Sequence, residues 1–301
     1  MKQSIRRNFI QGAYICIQIS CMKSPFTLVL CLCLPALQTA SAQYYYKDVL
    51  SIEQSAQQQK EYKKNRVRVV SIRSYDPDGS ENKDFFCQQS ISSDFTSLEI
   101  SSGSPATGKS TLTSLFDADL RVIRSIDSSS GSVTTTLYTY DTAGNVATIS
   151  SDSRTTDSLY YSTREAHIWQ YTPDGHPSGL LRIKDDKDTT VVRFISDTKG
   201  NVSEEVSTRK GKVTEHFFYY YNDNRELTDI VRYNPRLDRM LPDYMFEYNE
   251  SGKLSQMTVV QAIQSNYLVW YYEYDPRGLS VKAFCYDNSK KLLGTIGYSY
   301  Q

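Results

Sequence analysis

The sequence predicts an all-β protein: an antiparallel meander of repeated hairpins curling into an open barrel or shell-like sheet, with a short N-terminal helix. A five-residue phrase ending in glycine recurs through most of the 301 residues, the mark of a repeat architecture. Ahead of each phrase, aromatic residues alternate with mostly polar ones, a period of two that belongs to strands. Tyrosine, a strand former, is present 24 times against 11 phenylalanines. With 39% hydrophobic residues the chain can bury a sizeable core and does not read as disordered.

Residues 1–42 read as an export signal. Met22 is the better start: Lys23 supplies the charged region, Phe26 to Leu37 the apolar stretch, and Ala40-Ser41-Ala42 a small-residue site with cleavage expected after Ala42. The apolar run is well short of the roughly 18 residues of a membrane span and contains Pro35, so no span is expected after signal removal. A secreted or periplasmic location follows. The full chain balances 34 basic against 34 acidic side chains. Residues 1–42 hold Lys2, Arg6, Arg7 and Lys23 and no acid, which leaves 30 against 34 and a net charge of −4. That speaks against a nucleic-acid partner. Cys87 and Cys285 remain, either joined by an oxidising compartment or left as two buried thiols.

Residues 43–65 predict a helix of about four turns, with Ser51-Ile52-Glu53-Gln54 as a capping box and good helix formers from Ala56 to Glu61. Its apolar stripe, Val49, Ile52 and Ala56, is thin, so the helix is expected against the sheet edge or one mouth of the curl.

Residues 66–301 form the repeat domain. Tyr75-Asp76-Pro77-Asp78-Gly79, Tyr140-Asp141-Thr142-Ala143-Gly144, Tyr171-Thr172-Pro173-Asp174-Gly175, Tyr248-Asn249-Glu250-Ser251-Gly252 and Tyr274-Asp275-Pro276-Arg277-Gly278 are the clear copies. Phe116 to Leu120 and Tyr221 to Arg225 lack the glycine, and Ser196 to Gly200 lacks the aromatic. From Gly144 onward the fifth positions fall 31, 25, 25, 27 and 26 residues apart. Asp or Asn bonds the backbone two residues on, Pro presets the next position, and a left-handed glycine closes a three-residue hairpin loop on a type I turn. Gly79, Gly144, Gly175, Gly200, Gly252 and Gly278 are the structural turn positions. Tyr298 and Tyr300 read as the opening of one more repeat.

These phrases resemble the YD repeats of the RHS family, roughly Tyr-Asp-x-x-Gly-Arg/Asn-Leu/Val. The best-matching copy is Tyr140-Asp141-Thr142-Ala143-Gly144-Asn145-Val146, then Gly200-Asn201-Val202 and Tyr274-Asp275-Pro276-Arg277-Gly278-Leu279. The resemblance covers residues 66–301 and implies a curling antiparallel sheet, in large members a hollow shell around a toxin or an adhesion surface. The repeats here are too few to enclose a toxin, so the chain looks like a short, toxin-less member.

Catalytic signals are weak. Gly103-Ser104-Pro105-Ala106-Thr107-Gly108-Lys109-Ser110 fits the phosphate-loop pattern, but strand formers follow Lys109 where a helix must begin, so a plain hairpin loop is expected. His167, His176 and His216 have no metal-ligand spacing, and neither a metal nor a cofactor is expected. Trp169, Tyr171, Trp270, Tyr272 and Tyr274 are the candidate ligand-binding residues, since a row of rings can stack sugars or seat a peptide. Their recurrence at every tip favours cross-strand packing instead. The expected function is therefore non-enzymatic, in a structural, adhesive or protein-interaction role, with a protein or a cell-surface glycan as partner. A glycan- or peptide-binding module is the alternative, and a hydrolase or nucleotide-binding enzyme ranks last.

Overall fold

A computed structural model of the protein describes residues 44–105, 107–156, 161–261 and 266–301; the expected signal, residues 1–42, lies outside them. Among the described residues, one helix, α1 (Lys47–Lys64), precedes eighteen strands. The first nine are β1 (Val69–Tyr75), β2 (Phe86–Ile91), β3 (Ser97–Ser104), β4 (Gly108–Phe116), β5 (Val122–Ser128), β6 (Ser132–Tyr140), β7 (Val146–Thr155), β8 (Ser162–Tyr171) and β9 (Pro177–Lys184). The rest are β10 (Asp188–Ser196), β11 (Val202–Arg209), β12 (Lys212–Tyr221), β13 (Leu227–Asn234), β14 (Arg239–Tyr248), β15 (Leu254–Gln261), β16 (Asn266–Tyr274), β17 (Ser280–Tyr286) and β18 (Leu292–Tyr300).

Each strand pairs antiparallel with the next, and the meander goes further than an open curl. Tyr298 and Tyr300 belong to β18. They pair with Ile72 and Val70, so β18 closes the ring onto β1. Closure leaves no free edge among the described strands. Cys87 and Cys285 sit on β2 and β17, three ladders apart, or about 14 Å at ordinary strand spacing. That is beyond disulfide reach for this pair, and Cys285 is buried.

The repeat phrases build one rim, the tip rim, from the turns that follow the even-numbered strands. In the turn after β6, Asp141 Oδ1 accepts the N–H groups of Ala143 and Asn145, and Gly144 N–H closes onto the Asp141 carbonyl. Asp117, Asp197, Asn249 and Asp275 do the same for their own turns. The register slips by one residue beside each of these tips, as a bulged three-residue loop requires.

One phrase belongs elsewhere. Tyr75–Gly79 follows β1 and therefore lies on the far rim. The tip rim instead uses Ser92 to Thr96, with Phe95 left-handed at φ 64° and 25 residues before the left-handed Leu120. Turn chemistry is local and cannot say which end of a barrel a turn occupies. Strand parity decides that.

Two devices lock neighbouring tips together. The aromatic that opens a phrase points inward and donates its hydroxyl to the first carbonyl of the strand leaving the preceding tip: Tyr140 to Val122, Tyr171 to Val146, Tyr221 to Val202, Tyr248 to Leu227, Tyr274 to Leu254 and Tyr300 to Ser280. Tyr248→Phe removes one such bond without changing shape and is expected to cost about 1 kcal/mol in urea unfolding. In the other direction, the residue after a phrase covers the next left-handed glycine at three of the tips. A Cβ on Gly200 would stand 2.5 Å from His176, on Gly252 2.9 Å from Glu226, and on Gly278 2.7 Å from Lys253. Gly175, at φ +81°, has nothing within 4 Å of that position. Gly175→Ala is thus expected to show only the left-handed backbone cost of about 1–2 kcal/mol. Gly200→Ala, at the same φ, adds the displacement of His176, so its melting temperature should fall further.

Inside the ring, β8 to β18 contribute rows of apolar and aromatic side chains, among them Trp169, Phe194, Phe217, Tyr219, Phe246 and Trp270, all buried. The wall from β3 to β7 is wetter, carrying Ser102, Ser110, Asp127, Thr134 and Ser153, with Thr134 bonded to Ser153 at 2.8 Å. This follows the Ser/Thr-rich sequence of those strands.

The helix lies across the lumen near the tip rim. Tyr62, near its C-terminal end, donates to Gln89 on β2, while the residues at its start reach Glu205 on β11. Those strands are nine apart in a ring of eighteen, hence diametrically opposed. A helix of 18 residues is about 27 Å long, close to the width of such a ring before strand tilt is counted. Ile52, Ala56, Gln59 and Tyr62 face inward and are buried.

Candidate functional site

The helix does not start at the expected capping box. It begins one turn earlier, at Lys47, and Ser51 Oγ bonds back to the Asp48 carbonyl inside the helix. Tyr46, at the N-cap position, makes no side-chain capping bond. A buried helix start needs acceptors for its N–H groups. Here the barrel wall provides them: Glu205 accepts the backbone N–H of Tyr45 at 2.7 Å, that of Tyr46 at 2.9 Å, and the hydroxyl of Tyr219 at 2.6 Å. Glu205 is 0% exposed. Burial pushes its carboxyl up to about 7, against the pull of these three donors.

A second tie lies beside it. His167 on β8 bonds Asp48 of the helix through Nδ1 at 2.6 Å and Glu165 through Nε2 at 2.9 Å. Arg182 on β9 holds the other Glu165 oxygen at 2.6 Å. Burial works against the imidazolium, yet the two carboxylates carry His167 up to about 9. Burial likewise opposes ionisation of Glu165, but His167 and Arg182 hold it down at about 2. The aromatic strap Tyr44-Tyr45-Tyr46 fills the space around these ties. Tyr44 packs on Phe217, Tyr45 on His167, and Tyr46 edge-on to Tyr219 with ring centres 5.3 Å apart.

Between the helix and the tips lies a cavity of about 250 Å³. Tyr46, Val49, Ile52 and Tyr171 give it an apolar wall, and Glu53, His176, Lys199 and Arg225 line it with charge or polarity.

The five candidate aromatics all fall on the inner face. Trp169 is 5% exposed and stacks on Phe194 at 5.1 Å, and Trp270 is 3% exposed between Met257 and Cys285. Tyr171 and Tyr274 are half-buried, each spent on its rim hydrogen bond, and Tyr272 is half-buried against the core. Of these, only Tyr171 lines the cavity. The phosphate-loop lookalike is the β3–β4 hairpin, with Lys109 exposed on a strand and no helix after it. A Cβ on Gly103 would meet the Gly108 carbonyl oxygen at 2.6 Å, so close strand approach explains that glycine. No cluster of metal-ligating side chains occurs among the described residues.

No family model matches the chain, and no curated protein matches it. Among solved structures, it is similar to the TcdB2-TccC3-Cdc42 structure at 14% identity and a TM-score of 0.33, over 72% of this chain and only 12% of that one. It is also similar to a porin-like protein from Bacteroides uniformis ATCC 8492, at 9% identity and a TM-score of 0.39, over 78% of this chain and 96% of the other. A porin-like protein from Bacteroides vulgatus ATCC 8482 matches at 15% identity and a TM-score of 0.28, over 78% and 98%. None of these likenesses fixes a family or a function. The architecture itself, an antiparallel β-barrel with a helix in its mouth, is the class the chain defines.

Proposed function

We propose that the protein is a non-enzymatic, exported β-shell that stays in water, related in plan to YD-repeat proteins, and that it serves a structural or protein-interaction role. The two faces of the wall support this reading. Exposed Arg73, Glu99, Arg124, Arg193, Glu247 and Lys282 stud the outer face all round the ring. On a lipid-facing wall each Arg or Lys near mid-membrane would cost about 2–4 kcal/mol. The lumen, for its part, is lined from β8 to β18 by the chain's own aromatic rows and spanned by its own helix, which favours recognition at the rims and the outer wall. Residues 43–301 should purify as a monodisperse species without detergent and leave planar bilayers non-conducting. A requirement for detergent, or steady channels, would overturn the proposal.

One observation favours the second reading, glycan or peptide contact. Tyr267 and Tyr271 on β16 point outward at 41% and 44% exposure, and Tyr271 meets Tyr286 of β17 edge-on at 5.7 Å. A glycan contact at this patch would be lost in Tyr271→Ala and kept in Trp270→Phe, one residue away and facing inward.

A further inference from the structure

We infer that the rim cavity between α1 and the tips is a binding site for a small monocarboxylate with an apolar body. Five of the eight tip-rim turns place glycine at the left-handed position; Phe95, Leu120 and Arg225 are the exceptions. The first two recover the strain by burial, Phe95 under the Arg68 guanidinium and Leu120 in the core. Arg225, at φ 60°, is not buried, and its side chain makes no ion pair or hydrogen bond among the described residues. It lines the cavity instead. A strained backbone that leaves an unpartnered guanidinium at a cavity is the pattern of a residue kept for binding. Lys199 lines the same space and makes an exposed 3.8 Å contact to Asp223.

The ligand class follows from the lining. Arg225 presents a fork that matches a carboxylate, with Lys199 as a second cation. Val49, Ile52, Tyr46 and Tyr171 offer an apolar wall for a short aliphatic or aryl chain. Glu53, on the helix side, disfavours a dianion such as phosphate. About 250 Å³ is below the range of drug-sized sites and suits a small acid.

The test is calorimetric titration of the folded protein with hexanoate and phenylacetate, with hexylamine, hexanol and inorganic phosphate alongside. The acids should saturate the site, and the amine, the alcohol and phosphate should bind at least about tenfold more weakly. Arg225→Gly relieves the left-handed strain, so it should melt no lower than the parent while losing about tenfold or more in acid affinity. Arg225→Lys should fall between them. Absence of saturable acid binding up to about 10 mM, phosphate binding as tightly as the acids, or unchanged affinity in Arg225→Gly would each overturn the inference. The outcome is independent of the shell reading, because detergent-free behaviour and acid binding are measured separately.

Discussion

Glu205→Ala is expected to destabilise the fold by about 3–5 kcal/mol. Removing the carboxylate leaves two buried backbone N–H groups, at Tyr45 and Tyr46, and the Tyr219 hydroxyl without their acceptor. Each such orphan costs about 1–3 kcal/mol, and loss of the desolvated charge offsets only part of it. Glu205→Gln keeps one carbonyl oxygen and should cost less than half as much. Urea unfolding followed by fluorescence reads the difference, because Trp169 stacks on Phe194, whose ring lies 6.2 Å from that of Tyr46. A loss under about 1 kcal/mol for the alanine variant would mean that water replaces the acceptor freely and that the strap is not anchored there.

Stability should fall as pH rises, in two adjoining windows. His167 is a base whose value in the fold, about 9, lies above its ordinary 6.5. Its contribution is therefore complete below pH 6.5 and is lost as pH rises through 9, a change of about 2–3 kcal/mol. Glu205 is an acid raised from 4.5 to about 7, so the fold holds its proton more tightly than the unfolded chain does, and stability declines between those values. His167→Gln should flatten the upper window and leave the lower, and Glu205→Gln should do the reverse. Melting curves from pH 4 to 10 would settle both, and a flat profile above pH 6.5 in the parent protein would refute the His167 tie.

The strands were legible because their signals are local. Asp141, Asp197 and Asp275 each form a turn with their own neighbours, and alternation of Tyr138 and Tyr140 sets their common face without reference to the rest of the chain. What sequence spacing could not reach was anything set by ring geometry. Gly79 carries the same turn chemistry as Gly144, yet it sits at the opposite end because an odd number of strands precedes it. Glu205 follows Glu204 in β11, and the bulge between Ile195 and Ser196 of β10 obscures which of the pair faces inward. Its neighbours Phe194 and Phe217 would have been the clue, since both are cross-strand partners of Glu205. The helix start was misread for a related reason: Ser51 looked like a cap because the true acceptor lies 159 residues away from Tyr46. Trp169 and Trp270, whose recurrence at the tips favours packing, both lie in the core.

The seam between β1 and β18 has a consequence for how the molecule is made. Ser71 and Ser299, paired across it, are 228 residues apart, so the join that closes the ring waits until β18 has been translated. Until then two naked borders face solvent, each a template for the same border of a sister molecule. Contacts of such long separation form slowly. Crowded expression should therefore favour exchanged dimers joined through this seam over loss of the hairpins themselves, and dilution during refolding should favour the monomer.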